Sequence, residues 1–225
     1  MLCFGHRGAM GHAAENTLLS IRTAINFGAD WVEIDVHLVD KQLLVIHDDT
    51  LDRTTNGVGR LSDYTFAELR ELDAGEGECI PTLQEIIDIT KGKVGLNIEL
   101  KGKGAAAAVI ESLSHLDKAH KASIIVSSFM VNELEQIHQG HSAIKIGVLA
   151  ENNVDSVLSL ANRLQAYSIH LNKRMANIKL LERVHNAGFQ LYVYTVDSRV
   201  DISRMGKMGV DGVFTNYPDR MLAVK

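Results

Sequence analysis

Two stretches of this sequence gather carboxylates on strand faces that a folded chain would turn inward. In Trp31-Val-Glu33-Ile-Asp35-Val-His37, Glu33 and Asp35 stand two residues apart. An extended backbone points both to one side, with Cα atoms about 6.5 Å apart, and sends Val32, Ile34 and Val36 to the other. Gly95-Leu-Asn97-Ile-Glu99-Leu-Lys101 repeats the device, with Asn97, Glu99 and Lys101 sharing a face. An isolated buried charge is too costly to persist, so these carboxylates require a metal ion or basic side chains. Three carboxylates from two strands form a hard, oxygen-rich set that suits Mg²⁺ or Ca²⁺ better than Zn²⁺. The alternative is a buried salt-bridge network of Glu33, Asp35 and Glu99 with Arg7 and Lys101, and periodicity alone does not choose between the two.

His6-Arg7 closes the first apolar run and opens the loop Gly8-Ala9-Met10-Gly11-His12, and His47-Asp48 closes the run Leu43–Ile46. A lone histidine at a strand end is more often structural. Two of them, beside an arginine and opposite a carboxylate cluster, can act as an acid–base pair near neutral pH. Arg7 offers a bidentate fork for a phosphate and Lys101 a point charge. Asn16 reads as the N-cap of the helix that follows, with Glu15 near its positive end; Glu15 also faces the same rim, where it would steady His6 or Arg7. His12, His37 and His170 read as loop or solvated residues, and Met175, Met205 and Met208 as packing. Lys101-Gly-Lys103-Gly104 lacks the spacing of a triphosphate-binding loop, and the Gly-x-Ser-x-Gly elbow of serine esterases is absent.

The elements that must position these residues alternate. Strand patterns fall at Leu2–His6, Trp31–His37, Leu43–His47, Gly95–Leu100, Ile124–Ser127, Lys145–Leu149, Tyr167–Leu171, Gln190–Val196 and Gly212–Thr215. Most are continuous apolar runs, Leu43–Ile46 and Ile124–Val126 among them, as parallel strands covered by helices should be. Helical patterns lie between them at Thr17–Phe27, Thr82–Thr90, Gly104–Leu116, Val131–Gln139, Val154–Leu164, Asn177–Asn186 and Arg199–Lys207. Gly28 can close the first helix, and Thr82-x-x-Glu85 and Thr65-x-x-Glu68 are capping boxes. Near eight β-then-α units in 225 residues predict an α/β fold, a (β/α)₈ barrel whose strand ends share one rim, with a doubly wound open sheet as the runner-up. The polar segment 49–80 breaks the rhythm as an insertion with a short helix near Thr65–Asp73. The whole span 1–225 is expected to be one barrel domain.

Composition bounds the function. With 46% hydrophobic and 23% charged residues the chain is ordinarily globular, and a net charge of −5 argues against a nucleic-acid coat. Cys3 and Cys79 are too few for a disulfide framework and read as reduced thiols. The chain enters a strand at once, without the basic and apolar regions of a signal peptide, and holds no apolar run near 18 residues. A soluble cytoplasmic protein is the expectation.

Taken together, these residues resemble the glycerophosphodiester phosphodiesterase family. The resemblance lies in His6-Arg7-Gly8, Glu15-Asn16-Thr17, Gly28-Ala29-Asp30 with Glu33-Ile-Asp35-Val36, and His47-Asp48 with Leu51-Asp-Arg-Thr-Thr-Asn-Gly57. It continues through Ile80-Pro-Thr-Leu83, Asn97-Ile-Glu99-Leu-Lys101 and Gly209-Val-Asp-Gly212…Thr215-Asn-Tyr-Pro218. It implies a (β/α)₈ barrel with an insertion after the second strand. It also implies metal-dependent hydrolysis of small glycerophosphodiesters to glycerol 3-phosphate and an alcohol, a step of lipid and glycerol metabolism. Carried over, Glu33, Asp35 and Glu99 are metal ligands for Mg²⁺ or Ca²⁺, and His6 and His47 the acid–base pair, with His6 leaning to acid and His47 to base. Arg7 and Lys101 grip the phosphate, with Glu15 and Asn16 in support. The family's Trp-Thr-Val-Asn is here Tyr194-Thr-Val-Asp197, so Tyr194 keeps an aromatic wall against the glycerol or the leaving group. The implied partner is a small-molecule diester, without nucleic acid or a membrane span, and a homo-oligomer is compatible with it. A lysophospholipase D or phospholipase C-like enzyme, or a non-catalytic barrel that binds phosphorylated ligands, are the alternatives.

Overall fold

A computed structural model of the chain describes residues 1–140, 144–151 and 154–221. Its strands are β1 (Leu2–Gly5), β2 (Trp31–Val39), β3 (Gln42–Val45), β4 (Gly95–Leu100), β5 (Ile124–Ser128), β6 (Lys145–Ala150), β7 (Ser168–Asn172), β8 (Gln190–Tyr194) and β9 (Gly212–Thr215). Its helices are α1 (Leu18–Asn26), α2 (Phe66–Arg70), α3 (Leu83–Thr90), α4 (Ala105–Ser114), α5 (Lys118–Ala122), α6 (Val131–Gly140), α7 (Val154–Arg163), α8 (Ile178–Asn186) and α9 (Arg199–Met208). Eight strands pair in parallel around a closed circuit, β1-β9-β8-β7-β6-β5-β4-β2, and β1 pairs with β2 to seal it. The barrel is the architecture the alternating pattern predicts.

Alternation within each strand sorts the side chains. Val32, Ile34 and Val36 of β2, Ile98 of β4 and Val126 of β5 point outward, fully buried under the helices. Inside, Phe4, Ile125, Tyr192 and Phe214 fill the barrel, with the Phe4 ring 4.7 Å from both Tyr192 and Phe214. That plug leaves room for polar groups only at the C-terminal ends of the strands. No helix among the described residues is long and apolar enough to cross a membrane.

Segment Leu43–His47 is not a barrel strand. Asp40 and Lys41 both take left-handed conformations, φ 49° and 62°, in a two-residue turn after which β3 runs back antiparallel along β2, Val45 opposite Val36. The run is continuously apolar because both its faces are covered. Leu43 and Val45 join the main core, whereas Leu44 and Ile46 join a second core with Leu51, Leu61, Leu69 and Ile80 that anchors the insertion. Two-sided burial therefore has the same sequence signature here as in a parallel strand. The hairpin delivers His47 back to the rim: the Ile46 amide donates to the Asp35 carbonyl at 3.0 Å.

Both predicted capping boxes form, at Thr65 and Thr82, and Gly28 follows α1 at φ +74°. Asn16, by contrast, does not cap α1. Thr17 does, its hydroxyl accepting from the Ser20 amide at 3.1 Å and donating to the Ala14 carbonyl at 2.6 Å. Asn16 sits one residue earlier in a left-handed conformation, φ 59°, that turns its amide into the barrel mouth. Thr17→Ala should destabilise the fold by about 1–2 kcal/mol and lower the melting temperature by about 2–8 °C, measurable by thermal denaturation. An unchanged melting temperature would contradict this cap.

Candidate active site

The register of β2 with β4 sets Glu33 beside Asn97 and Asp35 beside Glu99, so four oxygen-bearing side chains make a square on the inner wall. Glu33, Asp35 and Glu99 are 2%, 1% and 9% exposed, and each offers an oxygen within 4.8 Å of the others. Their outer oxygens are spoken for. Glu33 Oε2 accepts from the Arg7 amide at 2.8 Å, Asp35 Oδ2 from Asn16 Nδ2 at 3.0 Å, and Glu99 Oε1 from Lys101 Nζ at 2.9 Å. Arg7 Nε lies 3.3 Å and Lys101 Nζ 3.9 Å from Asp35. Two cations thus face three carboxylates.

That imbalance shows in proton affinity. Burial, then repulsion from Asp35 and Glu99, pushes the Glu33 carboxyl well above its usual range. Burial and Asp35 lift Glu99 to about 7 against the pull of Lys101. Glu33 Oε1 and Asn97 Oδ1 are buried without a hydrogen-bond partner. Unpartnered buried oxygens in an all-oxygen set with surplus negative charge are what a hard divalent cation would satisfy, so the residues fit a metal.

Each flanking histidine has one nitrogen fixed. Asn216 donates through its amide nitrogens to Asp197, at 2.8 and 2.9 Å, which leaves Oδ1 to accept from His6 Nδ1 at 2.7 Å. Nδ1 therefore carries the hydrogen and Nε2 the lone pair. Burial and the charge of Arg7 lower the proton affinity of this ring. His47 Nδ1 donates to Asp48 Oδ1 at 2.6 Å, and its Nε2 lies 3.2 Å from Lys101 Nζ. His37, itself buried in β2, holds the loop by donating to the His47 carbonyl at 3.0 Å.

A chain of ion pairs ties the two flanks together. Arg7 Nη1 donates to Glu15 Oε1 at 2.7 Å, Arg53 grips both oxygens of Glu15 at 2.7 and 2.8 Å, and Arg53 Nε reaches Asp48 at 2.6 Å. Burial works against the Glu15 charge, but the two arginines outweigh it and lower its pKa. Arg53 and His47 hold the Asp48 carboxyl far below the usual carboxylate range. Of the two places expected for Glu15, at the helix end and beside His6 or Arg7, it takes the one beside Arg7 and pairs there with Arg7 and Arg53.

His6, Arg7, His47, Lys101 and Tyr194 line one cavity of about 440 Å³ with Glu33 and Glu99; Asp35, Asn16 and Glu15 stand behind it. The Tyr194 hydroxyl donates to the Ala150 carbonyl at 3.0 Å, which leaves its ring to form wall. Two placements differ from expectation. His170 is not solvated but fully buried on β7, its Nε2 2.8 Å from Ser168 Oγ, and burial lowers its pKa to about 3. His37 is likewise buried. The alternation Ser168-Ile-His170-Leu already marked His170 as facing inward with Ser168. Arg53, Asp48 and Asn216 join the site although spacing alone gave them no part; their signals were the polar strings 51–57 and 215–218 and, for Asp48, the pair His47-Asp48.

The sequence profile of the Glycerophosphoryl diester phosphodiesterase family matches residues 6–220. A glycerophosphodiester phosphodiesterase from Caldanaerobacter subterraneus subsp. tengcongensis is 35% identical over an alignment of 235 positions, gaps included, that covers 98% of this chain and 96% of its relative. One from Bacillus subtilis is 31% identical, covering 100% of this chain and 86% of that protein. Among solved structures, an Oleispira antarctica phosphodiesterase in complex with the product sn-glycerol-3-phosphate superposes with a TM-score of 0.93 at 30% identity, covering 99% of this chain and 96% of that one. The chain belongs to the glycerophosphodiester phosphodiesterase family of phosphoric diester hydrolases.

Proposed function

We propose that this chain hydrolyses small glycerophosphodiesters, glycerophosphocholine and glycerophosphoethanolamine among them, to glycerol 3-phosphate and the free alcohol, using a divalent metal and two histidines. The observation that carries the reading is one cavity lined by two carboxylates of a three-carboxylate cluster, with an orphaned Glu33 oxygen and Asp35 directly behind, together with two oriented imidazoles and two cations. The product bound to the Oleispira relative supports it.

Glu33, Asp35 and Glu99 would hold Mg²⁺ or Ca²⁺, and the bound ion supplies positive charge for the phosphate oxygens and for the charge that grows on them in the transition state. Arg7 and Lys101 grip the same anion from the protein side. His47 removes the proton of the nucleophile through Nε2, and Asp48 stabilises the imidazolium that results. His6 donates a proton to the departing alkoxide as its bond to phosphorus breaks. Burial makes His6 a reluctant cation and hence a ready donor, once the diester anion beside it has favoured its protonation. The nucleophile is water, or the free 2-hydroxyl of the glycerol; the latter gives a cyclic phosphate that water opens to the same product. Glu15 and Asn16 position Arg7 and Asp35, and Tyr194 walls the cavity.

His6→Ala and His47→Ala should each lower kcat on glycerophosphocholine about 10²–10⁴-fold. On a glycerophosphodiester with a nitrophenol leaving group, which needs no proton, His6→Ala should recover most of its loss and His47→Ala should not. Equal losses on both substrates would contradict this division of roles.

EDTA should abolish turnover, and Mg²⁺ or Ca²⁺ should restore it. The metal-free fold has its own pH signature. Because the folded state raises the Glu99 pKa to about 7, the stability contributed by its protonated form is present below the unfolded pKa and is lost as pH rises through about 7. The metal-stripped protein should therefore lose melting temperature between about pH 5 and about pH 8, Glu99→Gln should lose less, and saturating metal should stabilise most at the alkaline end. A metal-induced shift larger at the acidic end would contradict the assignment.

A further inference from the structure

The lining of the cavity divides by strand. The half built from β1, β2, β4 and the loop after β3 carries both proposed catalytic histidines, Arg7, Lys101 and the metal-binding carboxylates. The half from β5 to β9 presents chiefly Phe129, Leu149, Glu151, His170, Tyr194 and Phe214. Among the described residues, no lysine or arginine lines that second half. Its one histidine is buried and neutral.

At the outer end of this half the Phe129 and Tyr194 rings meet edge to face, centroids 6.3 Å apart at 87°. Phe129 is 43% exposed, unusual for so large an apolar side chain, and its ring already lies 6.0 Å from one cation, Lys101 Nζ. The Tyr194 hydroxyl is occupied by the Ala150 carbonyl, so the ring is what it offers. Glu151 follows β6, is exposed, lines the same cavity and has no ion-pair partner among the described residues. Aromatic faces with an unpaired carboxylate attract organic cations and give an uncharged polyol nothing comparable.

We infer that Phe129, Tyr194 and Glu151 form a subsite for the leaving alcohol that selects a positively charged head group, of the trimethylammonium type, over a polyol. The cavity holds its two basic side chains, Arg7 and Lys101, where the phosphate sits and is aromatic with a negative rim where the alcohol leaves, which matches a zwitterionic diester. The inference rests on the phosphodiesterase reading above, since it needs the phosphate anchored by Arg7 and Lys101.

The test is the ratio of kcat/KM for glycerophosphocholine to that for glycerophosphoglycerol. Glu151→Gln and Phe129→Leu should each lower the ratio about threefold to tenfold, as loss of a cation–π or carboxylate contact would, and Glu151→Lys should lower it further. Equal losses with both diesters would overturn the inference while leaving hydrolysis intact. A wild-type protein that turns over neither diester with any divalent ion would instead overturn the phosphodiesterase reading. Ligand-observed NMR with EDTA present decides the subsite without turnover: saturation transfer to the trimethylammonium protons of glycerophosphocholine should be strong in the wild type and weak in Glu151→Gln. Equal transfer to both would overturn the inference.

Discussion

Three carboxylates that cannot all stay ionised together govern the mouth of this barrel. Glu33, Asp35 and Glu99 are drawn within 4.8 Å by the register of two neighbouring strands, in a place where water is scarce and repulsion is strong. Arg7 and Lys101 answer part of the charge, and the remainder appears as raised proton affinity at Glu33 and Glu99. A salt-bridge network would have left the carboxylates balanced and their oxygens occupied. Here the ion pairs exist and still fall short, which is why the cluster reads as a site for a cation rather than as a structural device.

The rest of the architecture holds that unfavourable arrangement in place. Closure of the barrel fixes the β2–β4 register, the aromatic plug beneath prevents the side chains from sinking, and the β2–β3 hairpin brings His47 to the level of Asp35. Around the rim, Asp48, Arg53, Glu15 and Arg7 form a continuous run of ion pairs from the partner of His47 to the far side of the carboxylate cluster. Several of its members are half-buried, and breaking the run at Arg53 would leave Glu15 with Arg7 alone and Asp48 with His47 alone. The run links the orientation of His47 to the placement of Arg7, the two groups assigned above to proton transfer and phosphate binding in the proposed reaction.

Much of this was legible in the sequence. Two-residue spacing placed Glu33 with Asp35 and Asn97 with Glu99, and apolar runs separated by helical patterns gave the barrel. What escaped did so for physical reasons. Leu43–Ile46 is buried on both faces by two different cores, a pattern that does not distinguish an antiparallel hairpin from a parallel strand. Asn16 and Thr17 are both good caps, and only the left-handed backbone at Asn16 shows which one serves the barrel. His170 sits on a strand short enough that a single inward polar pair, with Ser168, was its whole signal. Arg53 reaches the site from an irregular loop, where no periodicity says which way a side chain turns. Phe129 and Glu151 line one cavity only because β5 and β6 are neighbours.

The central claim is most directly tested by calorimetric titration of Mg²⁺ and Ca²⁺ into the metal-stripped protein near pH 7, in two buffers of different ionisation enthalpy. One ion per chain should bind and release protons, because Glu99 and Glu33 must ionise to receive it, and Glu33→Gln should bind far more weakly. Absence of binding by either ion, or binding of equal strength in Glu33→Gln, would contradict the account.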